Sequence, residues 1–193
     1  MGHFYVNFTL KGPTRDAVAA ALRGREAFVA SAKSGAVVVW DEESEEQDLG
    51  IVSAMAKRLS AKFACPVLAA LNHDDDVLWL RLYEAGKLAD TYDSTPGYFD
   101  GDADGSGPEG GDAARLCAAF WGTDAARVEA ILRRAGAGDE DSDDAYVFEV
   151  ERHLDLVRAL GLPEYCAGTS FEDLDSGEYP SGTTSRDFRS TED

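Results

Sequence analysis

Residues 4–10, FYVNFTL, alternate without a break: Phe4, Val6, Phe8 and Leu10 share one parity, and Tyr5, Asn7 and Thr9 the other. Side chains of a strand point to opposite faces in turn, so this pattern predicts a half-buried strand. Lys11-Gly12-Pro13 then turns the chain, and Thr14 is placed to cap a short helix carrying Val18, Ala21 and Leu22 inward, with Gly24 at its end. Two further strands are expected in EAFVASAK and AVVVWDE, parted by Ser34-Gly35. Ser44-x-x-Gln47 has the form of a capping box, and Leu49, Val52, Met55, Ala56, Leu59 and Phe63 follow at helical spacing. Glu45, Glu46 and Asp48 would lie in the first turn and Lys57, Arg58 and Lys62 toward the other end, as the helix dipole favours.

Pro66 opens a strand, PVLAALN, followed by the polar turn HDDD, the strand VLWLRLYE, a two-residue turn at Ala85-Gly86, and KLADTYD. A two-residue loop sets hairpin register. Glu84 should then face Lys87, Tyr83 face Leu88, Arg81 face Asp90, and Trp79 face Tyr92. Leu78, Leu80 and Leu82 would point to a core under the helices. Trp79, Arg81, Tyr83, Leu88, Asp90 and Tyr92 would form the opposite face, for the C-terminal half or a partner to cover.

This element order predicts an α+β fold: a ferredoxin-like split βαβ arrangement with an antiparallel or mixed sheet, helices on one face, and a β-hairpin extension. Residues 1–94 make the sheet domain and 95–111 an acidic Gly/Asp loop. Helices near 112–121, 123–135 and 146–160 fall in a helical half, 112–179, that packs on the sheet, and 180–193 reads as a disordered tail.

Charge changes this picture most. The 193 residues carry 37 Asp and Glu against 18 Lys and Arg, a formal charge of −19. That balance argues against nucleic-acid and anionic-lipid surfaces, which need clustered cations. The acids bunch at 41–48, 139–144 and 171–178. Such runs suit solvated faces, or a docking surface for a basic protein. No membrane-spanning run or signal peptide is apparent, and Val6 breaks a myristoylation motif, so a cytoplasmic setting is expected. Cys65, Cys117 and Cys166 match no zinc or redox spacing and read as buried free thiols.

The sharpest chemical motif is FDGDADGSGPEGGD. Asp100, Asp102 and Asp104 followed by Gly105 begin like a calcium loop, with Glu109 nearby. Pro108 at the ninth position and Gly111 at the twelfth break the ligand pattern, and Asp112 is needed as the N-cap of the next helix. No cofactor is expected, with calcium at this loop the exception. His73 beside Asp74, Asp75 and Asp76 reads as a polar hairpin turn, and His153 as a surface or half-buried helix residue. No phosphate-binding loop, nucleophile elbow or zinc-protease motif is present.

The run CPVLAALNHDDDVLWLRLYEAGKLADTYDSTPGYF, with RHLDLVRALGLP later, resembles an uncharacterised group of acidic bacterial α+β proteins. That resemblance implies a bacterial cytosolic setting and assigns no site residue. The leading expectation is a non-catalytic interaction module, similar in charge and size to immunity proteins that cap basic toxins. Trp79, Arg81, Tyr83, Asp90 and Tyr92 are its candidate partner-binding residues, provided that the aromatic rings are exposed. The alternatives are a carboxylate- or metal-dependent hydrolase using the Asp loop or the HDDD turn, and a structural calcium site.

Overall fold

The computed structural model describes residues 2–103, 105–136 and 145–191. The chain runs through β1 (Phe4–Lys11), α1 (Arg15–Ala21), β2 (Ala27–Ser31), β3 (Ala36–Asp41), α2 (Glu42–Glu45), α3 (Leu49–Phe63), β4 (Pro66–His73), β5 (Val77–Glu84), β6 (Lys87–Asp93) and β7 (Glu109–Gly110). It continues through α4 (Ala113–Ala119), α5 (Ala125–Arg133), α6 (Glu149–Ala159), a 3-10 turn at Glu164–Cys166, α7 (Phe171–Ser176) and β8 (Phe188–Ser190). The fold is α+β, with one open sheet in the order β7-β6-β5-β4-β1-β3-β2-β8. Neighbouring strands of that sheet are antiparallel.

Helices cover the sheet on both faces, α1 and α3 on one and the C-terminal half on the other. Val6, Phe8, Leu10, Val37, Val39, Val67 and Leu71 pack with Val18 of α1, Leu22 at its C-cap, and Val52, Met55, Ala56 and Leu59 of α3. On the other face, Val38, Trp40, Leu68, Leu78, Leu80, Leu82 and Tyr92 pack with Leu116, Val128, Ile131, Leu132, Leu156 and Leu174 of the C-terminal helices. β1 therefore lies between two cores, and Tyr5 through Leu10 are all buried. The leucines of β5 face the C-terminal helices, while Trp79 and Tyr83 belong to the α3 side, which reverses the expected assignment.

Local chemistry explains most boundaries. Thr14 and Asp112 cap α1 and α4 as expected, accepting from Ala17 N and Arg115 N. The capping box at Ser44 does not form. Asp41 caps α2, Gln47 turns the chain at φ 60°, and Asp48 caps α3 by accepting from Gly50 N and Ile51 N. Ala85 and Gly86 both take positive φ, the mark of a tight hairpin turn matched to strand twist. A bulge opposite Leu82 and Tyr83 then shifts the pairing, so Leu82 faces Asp90, Arg81 faces Thr91, Leu80 faces Tyr92, and Trp79 faces Asp93. The expected Arg81–Asp90 and Trp79–Tyr92 pairs are thereby corrected.

Within the segment expected to be a disordered tail, Phe188–Ser190 form a strand. β8 pairs with β2, and Phe188 is buried against Trp40, Tyr165 and Tyr179. Truncating a buried aromatic removes its transfer energy and leaves a cavity, so Phe188→Ala should cost about 3 kcal/mol in urea unfolding. A change below about 0.5 kcal/mol, the usual size for an exposed position, would show the tail undocked in solution.

Candidate functional site

The polar residues of β1 meet the C-terminal half rather than solvent. Tyr5 Oη lies 2.8 Å from His153 Nδ1, Asn7 Nδ2 donates to the Cys166 carbonyl at 2.6 Å, and Thr9 Oγ1 lies 3.4 Å from Cys166 Sγ. Trp40 Nε1 adds a bond to the Thr169 carbonyl at 2.9 Å. His153 is fully buried, which corrects its reading as a surface or half-buried group. Burial holds it down to about 3, so it is neutral at physiological pH, and raises the Tyr5 phenol well above its usual range. The Cys166 thiol is pushed up to about 12 by burial, which removes it as a nucleophile.

Past the end of this row a cleft of about 770 Å³ opens. Its walls come from the β4–β5 turn, residues 94–98 after β6, residues 105–108, the end of α5, and the entry to α6. Such a volume suits a small-molecule site. Glu149 stands in its wall and is held by Arg152, whose Nε donates to Oε2 at 2.7 Å and Nη2 to Oε1 at 3.1 Å. Arg152 Nη1 also donates to the carbonyls of Ile131 and Arg134, fastening α6 to α5, while its guanidinium lies over the Tyr146 ring. Burial raises the Glu149 carboxyl, and the bonds from Arg152 pull it back in part.

Asp75 ties three elements together at this place. Its Oδ2 accepts from the His3 backbone N and meets His3 Nδ1 at 2.8 Å, and its carbonyl accepts from Glu149 N. Asp76 is exposed, and its Oδ2 accepts from Tyr98 Oη at 3.3 Å. Arg133 also lines the cleft, but its donors go to the carbonyls of Gly110 and Gly111 and to Glu129. The cleft thus offers carboxylate acceptors and two phenol rings.

The five expected partner-binding residues do not form one exposed patch. Trp79 and Tyr83 are core residues of the α3 side, and Tyr92 is a core residue of the opposite face, its hydroxyl donating to the Leu132 carbonyl. Arg81 is half-buried, stacked over Trp79 at 4.0 Å and donating to the Leu80 and Tyr92 carbonyls. Asp90 accepts from Asp112 N at 2.7 Å. Helices on both sides of the sheet and the bulge in the hairpin account for this correction.

In the Asp loop, Asp100 and Asp102 are exposed, Glu109 sits in β7, and Asp104 lies outside the described residues. Among the described residues no three His, Cys, Asp or Glu side chains are grouped to hold a metal. The HDDD turn separates its acids: Asp74 is exposed and accepts from Gly2 N, while Asp75 and Asp76 line the cleft. Sequence reasoning missed the cleft acid Glu149 and its partner; their i,i+3 spacing was the available signal.

Two acidic runs that are distant in sequence meet through Glu45. Its Oε2 accepts from Val6 N at 3.3 Å and its Oε1 from Phe171 N at 2.9 Å. Burial pushes this carboxyl up to about 7 despite those bonds. The third run, 139–144, lies outside the described residues. No family model matches the sequence, and no curated protein or solved structure matches it either.

Glu45 and His153 act on stability with opposite signs. His153 refuses a proton that the unfolded imidazole takes near pH ~6.5, so stability is lost as pH falls from there toward 3. Glu45 keeps a proton that the unfolded carboxyl releases near pH ~4.3, so its contribution is present at low pH and lost as pH rises through 7. Glu45→Gln removes the opposing effect. The variant should therefore lose stability more steeply than wild type between about pH 6.5 and 4.5, by about 1.4 kcal/mol per pH unit in denaturant titrations. Parallel curves would show that Glu45 titrates like an exposed carboxyl.

Proposed function

We propose that this protein is a non-catalytic interaction module of the bacterial cytosol that captures a basic protein, in the manner of an immunity protein. The observation that carries this reading is where the cations go. Lys11 donates to the Phe120 carbonyl, Arg25 pairs with Asp41, and Arg81 and Arg133 donate to backbone carbonyls. Arg152 is buried with Glu149, and Arg115, Arg158 and Arg189 pair with Glu84, Glu164 and Asp16. Much of the positive charge is thereby engaged inside the molecule, and the outward field is that of the surplus acids.

The docking face in this reading is composite. Glu42 and Glu46 of the α2 segment and Glu172, Asp175 and Glu178 around α7 are exposed, and Glu45 joins the two segments. Such a face speeds encounter with a basic surface and confers salt sensitivity. It replaces the hairpin aromatics as the candidate contact. The core β4-β1-β3-β2 with α1 and α3 is read here as a ferredoxin-like split βαβ unit, extended by the β5–β6 hairpin, that carries this face.

The test is affinity capture from the native cell lysate, with wild type beside a variant carrying Glu42→Lys, Glu46→Lys, Glu172→Lys and Asp175→Lys. The expected result is a basic protein held at about 50 mM salt, released by about 500 mM, and not held by the variant. Retention of the same basic protein by the variant, or a wild-type eluate without basic proteins, would overturn the reading.

A further inference from the structure

Where the sheet meets the C-terminal half, two buried amides are each satisfied on one side only. Asn7 and Asn72 are 1% and 0% exposed. Asn7 Nδ2 donates to the Cys166 carbonyl and Asn72 Oδ1 accepts from Asp75 N at 3.1 Å, so these bonds fix which way each amide is turned. An acceptor, Asn7 Oδ1, and a donor, Asn72 Nδ2, are thereby left without a hydrogen-bond partner among the described residues and without contact with solvent. The Tyr5 hydroxyl stands beside the Asn72 amide, but it is already bonded to His153 Nδ1 and can answer at most one of the two N–H groups. Buried polar groups left unmatched are costly, and native structures rarely keep them without a reason. The sheet register brings these two together. Tyr5 pairs with Asn72 and Asn7 with Ala70, so Asn7 and Asn72 are diagonal neighbours on one face. Ala70, buried on that face, brings only a methyl group to the corner that the longer side chains frame.

We propose that this corner is a binding site for one internal water molecule, which accepts from Asn72 Nδ2 and donates to Asn7 Oδ1 over the methyl group of Ala70. The chemistry follows from the two open groups, which call for a donor and an acceptor in one small occupant. A cation would answer Asn7 Oδ1 but meet the N–H groups of Asn72. An anion would do the reverse, and an apolar atom would answer neither. With the Tyr5 hydroxyl beside it, the water has the two or three polar partners typical of internal waters. Solvent then becomes a fitted part of the seam at which Tyr5, Asn7 and Thr9 meet the C-terminal half. The inference does not rest on the protein partner proposed above, since Tyr5, Asn7, Ala70 and Asn72 are all buried.

The test is magnetic resonance of the full chain in solution. Asn7, Asn72 and Gln47 are the only carboxamide side chains in the sequence, so the Asn72 NH2 pair is readily assigned. Water-selected NOESY and ROESY spectra should give that pair a cross-peak at the water frequency, opposite in sign in the two experiments, as a long-lived water requires. Oxygen-17 relaxation dispersion, which is blind to hydroxyl protons, counts such waters independently. Ala70→Ser places a hydroxyl, itself donor and acceptor, in the same corner. The folded variant should hold one long-lived water fewer than wild type and lose the Asn72 cross-peak. The absence of that cross-peak in wild type overturns the proposal, as does an unchanged water count in folded Ala70→Ser. A coupling through a hydrogen bond between Asn72 Nδ2 and Asn7 Cγ would also overturn it, since it would show that the two amides close on each other directly. If Ala70→Ser does not fold, the wild-type cross-peak and coupling decide.

Discussion

Everything in this molecule leans on one strand that is buried on both faces. β1 sets Val6, Phe8 and Leu10 against α1 and α3, and Tyr5, Asn7 and Thr9 under the C-terminal half. Buried polar groups must find partners, so the second face is geometrically demanding in a way that the first is not. The Cys166 carbonyl must stand where Asn7 can donate, and His153 where Tyr5 can reach it. Apolar packing supplies most of the driving force for closing the layers, and these bonds select the arrangement in which they close.

From β1 the order passes to the cleft in a few steps. His3, just before the strand, holds Asp75, whose carbonyl accepts from Glu149 N at the start of α6. Glu149 holds Arg152, which fastens the end of α5 through two carbonyls. Burying an ion pair recovers little net energy, because desolvation offsets the attraction. Its contribution here is positional: Arg152 has fixed demands, and they hold α5 and α6 in the geometry that forms the cleft wall.

The parts of this structure that were legible in the sequence are those governed by local chemistry. Alternation identified β1, the Ala85-Gly86 turn identified the β5–β6 hairpin, and Thr14 and Asp112 announced their helices. What stayed hidden was decided at a distance. Alternation gives parity but not which layer covers which parity, so Leu78 and Trp79 were assigned to each other's cores. A Tyr-Asn-Thr face reads the same whether it meets water or a second layer that answers its hydrogen bonds. Asp41 and Asp48 outcompeted Ser44 because their carboxylates reach the relevant N–H groups once Gln47 has broken the helix. The cleft could not be read at all, since its acids come from the β4–β5 turn and from α6, which are far apart in the chain.

The acidic composition then has two roles. Some acids are internal fittings: Asp41, Asp48, Asp112, Asp124 and Asp173 satisfy backbone N–H groups at helix starts or in their first turn. The remainder shapes the outward field, and both roles require the two helical layers to stay locked to one sheet. Native-state hydrogen exchange measures that lock most directly. If β1 organises both layers, the amides of Ile131, Leu132, Leu156 and Val157 should open with the same free energy as those of Phe8 and Thr9, and rise and fall with them in denaturant. If those helical amides exchange at a much lower opening energy while the sheet stays protected, the C-terminal half is a loosely attached cover and the central claim fails.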